Sequence, residues 1–134
     1  MAKKVLIVDD ELHMRVFMTT LLETAGFKPL AAEDGRQGLA LARQKRPALI
    51  ILDVMMPKES GFEMYQALKK DPELRAIPVI IVSGLAQKTF LYSQKMLDRY
   101  QGQPIPEPAG YIEKPPATEE LLAAINAALK QPGD

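Results

Sequence analysis

Three short runs constrain this chain more than anything else in it: VLIV (5–8), ALIILDV (48–54) and IPVIIVS (77–83). Each is almost continuously apolar and rich in β-branched residues. That is the pattern of strands buried on both faces of a parallel sheet, where no position is left for water. FKPLAA (27–32) and GYIE (110–113) carry weaker versions of the same signal. Between them lie amphipathic stretches. Leu12, Val16, Phe17, Thr20 and Leu21, with Met14, Met18 and Leu22, fall on neighbouring faces of a helix predicted to stop near Gly26. DGRQGLALARQKRP starts on an Asp34 cap and ends before Pro47, and SGFEMYQALKKDP sets Phe62, Tyr65 and Leu68 on one face and ends before Pro72. AQKTFLYSQKMLDRYQ presents Phe90, Leu91, Met96, Leu97 and Tyr100. ATEELLAAINAALK is read as capped by Thr118, with a stripe of Leu121, Leu122, Ile125, Ala128 and Leu129. Strict alternation of strand and helix predicts five βα repeats with right-handed crossovers, an α/β fold with helices on both faces of an open sheet.

The 134 residues suffice for one domain with its own core, assigned to 1–130 with a tail over 131–134. Seventeen basic residues balance seventeen acidic ones, so no basic field exists to recruit nucleic acid directly. There is no cysteine, which excludes disulfides and thiolate chemistry, and the single histidine, His13, excludes multi-histidine metal sites. The apolar run Val5–Val8 is too short for a signal-peptide core or a membrane span. The expectation is a cytoplasmic protein with no membrane partner.

In open α/β sheets, functional groups collect beyond the carboxyl ends of the strands. The first predicted strand runs into Asp9, Asp10 and Glu11, the third into Asp53, the fourth into Ser83-Gly84 and the fifth into Glu113-Lys114-Pro115. Two carboxylates about 4 Å apart repel by roughly 4 kcal/mol at an effective dielectric of about 20. A cluster of them needs a cation, and all-oxygen ligands point to a hard ion, Mg²⁺ before Zn²⁺. An ion that retains waters and favours phosphate oxygens suggests phosphoryl chemistry.

VLIVDDE, LIILDVMMPKESG, PVIIVSG and YIEKP, in this order and spacing, resemble the four signature segments of the response-regulator receiver domain of two-component signalling. The resemblance covers essentially the whole chain. It implies a flavodoxin-like doubly wound (βα)₅ fold with strand order 2-1-3-4-5. It also implies that Asp53 accepts a phosphoryl group from a sensor histidine kinase or a phosphotransfer protein. By the same resemblance Asp10 binds Mg²⁺ directly, Asp9 binds it through water, and Asp53 and the backbone carbonyl of Met55 complete the protein ligands. Lys114 pairs with the phosphoryl group, Ser83 is the hydroxyl that moves toward it, and Tyr111 is the aromatic switch residue. The output is a change in binding of a downstream protein through the face formed by the fourth helix, fifth strand and fifth helix, or homodimer formation on phosphorylation. Lys114-Pro115 is the site of a cis bond in many members. Gly84 leaves room for the phosphoryl group, and Gly61 allows close approach.

Blander readings stand beside these. Asp9 and Asp10 could simply cap the first helix, Tyr111 could fill core, and the methionines Met55, Met56 and Met64 read as core. A receiver-shaped module that no longer uses phosphate is the alternative function. A phosphatase of the dehalogenase type is disfavoured because the second aspartate it needs is Met55 here. Ser83 and Lys114 lie 31 positions apart, longer than receivers usually need, and QGQPIPEPAG (101–110) reads as an extended loop because its alternate prolines cannot continue a helix. That extra length leaves the output surface open, and the twenty residues after Lys114 are read either as the end of a free-standing receiver or as a fragment of a larger regulator.

Overall fold

In a computed structural model the described residues are 2–56, 61–101 and 105–130, with backbone alone over 96–101. The expected alternation is present throughout: β1 (Lys4–Val8), α1 (Leu12–Thr24), β2 (Lys28–Ala32), α2 (Gly35–Lys45), β3 (Leu49–Leu52), α3 (Gly61–Lys70), β4 (Val79–Ser83), α4 (Gln87–Gln101), β5 (Gly110–Glu113) and α5 (Thr118–Leu129). All neighbouring strands pair in parallel, in the order β2-β1-β3-β4-β5. This is the doubly wound topology in which chain direction across the sheet reverses beside β1 and β3.

The pleat explains the continuous apolar runs. Leu6, Val8, Ile50, Leu52, Val79 and Ile81 face Met64, Tyr65 and Leu68 of α3 and Phe90 of α4. Their neighbours Val5, Ile7, Leu49, Ile51, Ile80 and Val82 face Met18 and Leu22 of α1 and Leu121, Ile125 and Ala128 of α5. Each such side chain, fully removed from water, contributes about 1.5–3 kcal/mol. Both faces are therefore core, and a polar residue on either would break one of the two layers.

Helix ends follow local chemistry. Asp34 accepts a hydrogen bond from the Gln37 amide at 2.8 Å, as its cap assignment requires. α1 closes in a Schellman arrangement: the Gly26 amide bonds the Glu23 carbonyl and the Phe27 amide the Leu22 carbonyl, with Gly26 at φ 92°. Thr118 corrects the reading at α5. Ala117 is the N-cap, without a side-chain bond, and Thr118 is already helical, with Glu119 and Glu120 in the first turn complementing the helix dipole. β2 starts at Lys28, one residue later than the pattern suggested.

The apolar surface of α1 is wider than the core can cover. Met18 and Leu22 are buried, whereas Leu12, Val16 and Phe17 are 61%, 54% and 38% exposed. In α3, Tyr65 and Leu68 are buried and Phe62 is half-buried. The extended loop is non-helical over residues 105–109. The readings for Met96, Leu97 and Tyr100 as side chains, and for the 131–134 tail, lie outside the described residues.

Candidate functional site

Hydrogen bonds of the sheet continue one residue beyond the strands and set the backbone of the rim. The Asp9 amide donates to the Ala32 carbonyl at 3.1 Å, the Asp53 amide to Val8 at 3.0 Å and the Lys114 amide to Ser83 at 2.8 Å. Residues distant in sequence are thereby fixed on one edge.

Lys114 Nζ lies 2.9 Å from Asp53 Oδ2 and 3.0 Å from Asp9 Oδ2. The remaining carboxylate oxygens are held by the chain itself: Asp53 Oδ1 accepts from the Met55 amide at 2.8 Å and Asp9 Oδ1 from the Glu11 amide at 2.9 Å. Neither Asp9 nor Asp10 caps α1, whose N-cap is Glu11 without a side-chain bond; Asp9 instead steadies the turn before the helix with one oxygen and faces the lysine with the other. Its Oδ2 is buried with the ammonium close by as an ion pair, yet no hydrogen-bond donor is aligned on it among the described residues. Asp10 is exposed, and oxygens from Asp9, Asp10 and Asp53 come within 4.8 Å of one another. A buried anionic oxygen lacking an aligned donor, beside two further carboxylates, suits a hard divalent cation. Glu11 is exposed and contributes its amide rather than its carboxylate.

Burial raises the Asp9 carboxyl above its usual range, outweighing the Glu11 amide and Lys114, which lower it. For Lys114, burial lowers the ammonium, but the hydrogen bond to Asp53 and the negative charges of Asp53 and Asp9 prevail and its affinity for a proton rises. The lysine is accordingly a fixed positive charge.

Ser83 is buried and its Oγ accepts from the Leu85 amide at 3.2 Å. The Tyr111 phenol donates to the Leu85 carbonyl at 2.6 Å, so one residue is held from both sides. Burial, followed by the charges of Glu113 and Asp53, pushes the Tyr111 phenol up to about 12. Tyr111 packs on the core through Phe90, with ring centroids 5.4 Å apart. A side chain at Gly84 would meet nothing within 4 Å, so the fold itself does not demand glycine there. Met55 is 56% exposed, contrary to its reading as core, while Met56 and Met64 are buried. His13 is exposed and the Lys114-Pro115 peptide is cis.

Two contributors were given no role by the sequence. Arg15 donates from Nη1 to the Asp9 carbonyl at 2.7 Å, holding the strand end from α1. Glu113 accepts from the Gln87 amide at 3.4 Å, tying β5 to the first turn of α4. A basic residue one turn into the helix after the acidic pair, and an acid directly before the lysine, were the only traces of these in the sequence.

The profile of the response regulator receiver domain matches residues 5–126. The chain belongs to the response-regulator receiver family. As such a receiver it is similar to PilH of Pseudomonas aeruginosa, 40% identical over 94% of this chain and 97% of that protein. DivK of Brucella anthropi, a polar-differentiation response regulator, is 45% identical over 66% of this chain and 72% of its own. Among solved structures, the chemotaxis response regulator CheY4 of Vibrio cholerae superposes with a TM-score of 0.80 at 28% identity, over 96% of this chain and 99% of that one. This receiver is therefore a signalling domain of two-component systems. No helix among the described residues is long and apolar enough to cross a membrane.

Proposed function

We propose that this receiver accepts a phosphoryl group on Asp53 from the phosphorylated histidine of a sensor kinase or phosphotransfer protein. The observation that carries the reading is the Lys114 ammonium placed 2.9 Å from Asp53 and 3.0 Å from Asp9. A carboxylate oxygen of Asp53 forms the new O–P bond as the P–N bond to the donor imidazole breaks, and the electron pair returns to the ring nitrogen. The fixed charge on Lys114 counters the negative charge spread over the phosphoryl oxygens, which is most of what such a transfer asks of a protein. Ser83 supplies a hydroxyl that can donate to one of those oxygens, and Gly84 leaves the approach clear.

Asp9, Asp10 and Asp53 would hold a Mg²⁺ ion, with Asp9 acting through water and the Met55 carbonyl as a further ligand. When bound, this ion supplies additional neutralisation of the phosphoryl oxygens. A hydrogen bond to Ser83 made only in the phosphorylated state biases Tyr111 and the surface of α4, β5 and α5, and with it binding of a downstream protein or of a second copy of the chain.

Incubation with acetyl phosphate and Mg²⁺ followed by intact-mass measurement tests the reading. One phosphoryl adduct on the wild type and none on Asp53→Asn is the expected result. No adduct on the wild type, or an undiminished one on the variant, overturns it in favour of a phosphate-independent module.

A further inference from the structure

The stretch between α4 and β5 is attached to the core at two successive residues. Ile105 is buried in the layer shared by α3 and α4, and the buried Tyr65 of α3 donates its phenol to the Pro106 carbonyl at 2.5 Å. Pro106 and Glu107 themselves are exposed. The Tyr65 ring meets Phe90 edge-on with centroids 5.9 Å apart, and Phe90 in turn packs against Tyr111 at 5.4 Å. Tyr111 and Ser83 grip the same residue, Leu85, one by its carbonyl and the other by its amide. An unbroken series of contacts therefore runs from the pocket hydroxyl to the proline segment. Displacement of Ser83 Oγ withdraws the acceptor for the Leu85 amide, and Leu85 cannot turn without moving the oxygen that Tyr111 holds.

Coupling of this kind needs an element with two arrangements. α4, which carries Phe90, stands in the middle of this series of contacts. Gln94 on the same helix is buried, and its Oε1 and Nε2 find no hydrogen-bond partner among the described residues. A buried amide without a partner costs free energy where it sits, which lowers the cost of moving the helix that carries it.

We propose that residues 105–108 form the part of this receiver's surface whose anchoring responds to an occupied phosphoryl pocket, with Tyr65 and Phe90 as the positioning residues. The proposal rests on the phosphoacceptor reading of Asp53. Under it, phosphorylation of Asp53 changes how residues 105–108 are held against the core.

Amide exchange by NMR on the full chain in Mg²⁺, with and without fluoroberyllate as an aspartyl-phosphate mimic, tests this coupling. Pro106 and Pro108 carry no amide, so Glu107 and Ala109 report, the latter through its bond to the Val79 carbonyl. Exchange at these amides is expected to change by about 5-fold or more on binding, the ordinary scale of coupling between sites. In Tyr65→Phe that response disappears. By linkage, affinity for fluoroberyllate, read from its bound fluorine signal, shifts in the variant by the factor the response has lost. Phe90→Leu, which keeps an apolar side chain but removes the ring, gives the same result should Tyr65→Phe fold poorly by circular dichroism. Bound fluoroberyllate with unchanged exchange in the wild type, or a full response in both variants, overturns the proposal alone. No bound fluorine signal on the wild type overturns the Asp53 reading and the proposal with it.

Discussion

Gly61 backs directly onto Asp53: a methyl group at this first residue of α3 would overlap the Asp53 carbonyl oxygen and the Cα of Val54. These are backbone atoms, so relief requires the turn that carries the aspartate to move. Gly61→Ala is expected to cost about 1–3 kcal/mol, the usual penalty of overpacking, in urea unfolding, and to slow formation of the acetyl-phosphate adduct. Gly84 is the contrast, since a side chain there meets nothing within 4 Å. Gly84→Ala should leave stability within about 0.5 kcal/mol while slowing the same adduct.

Lys114 is the only described cation in ion-pair contact with Asp9 and Asp53, and both carboxylates are almost fully buried. Lys114→Met leaves two like charges facing each other, and removing one partner of a buried pair typically costs about 3–5 kcal/mol. Urea unfolding in a chelator should show a loss approaching that size, recovered in large part by Mg²⁺. In the wild type, Mg²⁺ at about 100 times its dissociation constant should add about 2.7 kcal/mol. Asp10→Asn should lose most of that gain, which calorimetric titration would detect directly.

Alkaline pH should unfold the protein through its phenols. Tyr111 rises from 10.0 to about 12 in the folded state, so its contribution is complete below pH 10 and is lost as pH climbs from 10 through 12. Tyr65, raised by burial and by Glu107, and Lys114, raised above 10.5 by its carboxylate partners, act in the same direction. Lys69, lowered by burial, acts oppositely, and its penalty fades as pH approaches 10.5. Ultraviolet titration of the phenols should show late-ionising tyrosines, one of them absent in Tyr111→Phe, with urea stability falling over the same interval.

Met55, 56% exposed, and Leu85, half-buried beside Ser83, are apolar and cannot position a water for attack on phosphorus. Loss of the phosphoryl group from Asp53 is expected to be slow, as followed by intact mass after removal of acetyl phosphate. A half-life of seconds would contradict this.

The sheet was legible because its residues report burial directly. Val5–Val8 and Val79–Ser83 are apolar at nearly every successive position since each pleat faces a helix layer. Asp34 was legible for the same local reason: a short side chain bonds an amide three residues on. Thr118 was misread because a cap depends on backbone angles that residue type only biases, and Ala117 takes the position instead. Leu12, Val16 and Phe17 belong to the apolar faces of the α1 pattern yet lie exposed, because periodicity identifies an apolar face but not how much of it neighbouring elements can cover.

Residue order alone settled the alternation of strands and helices and the placing of acids, hydroxyl and lysine at strand ends, because both follow from local geometry and from solvent exclusion. Tertiary structure alone decided which oxygen of Asp9 meets Lys114, that Gly61 presses on Asp53, and that Tyr65 holds Pro106. Those contacts join residues apart in the chain, and their ångström-scale distances depend on how whole layers pack, which no local pattern encodes.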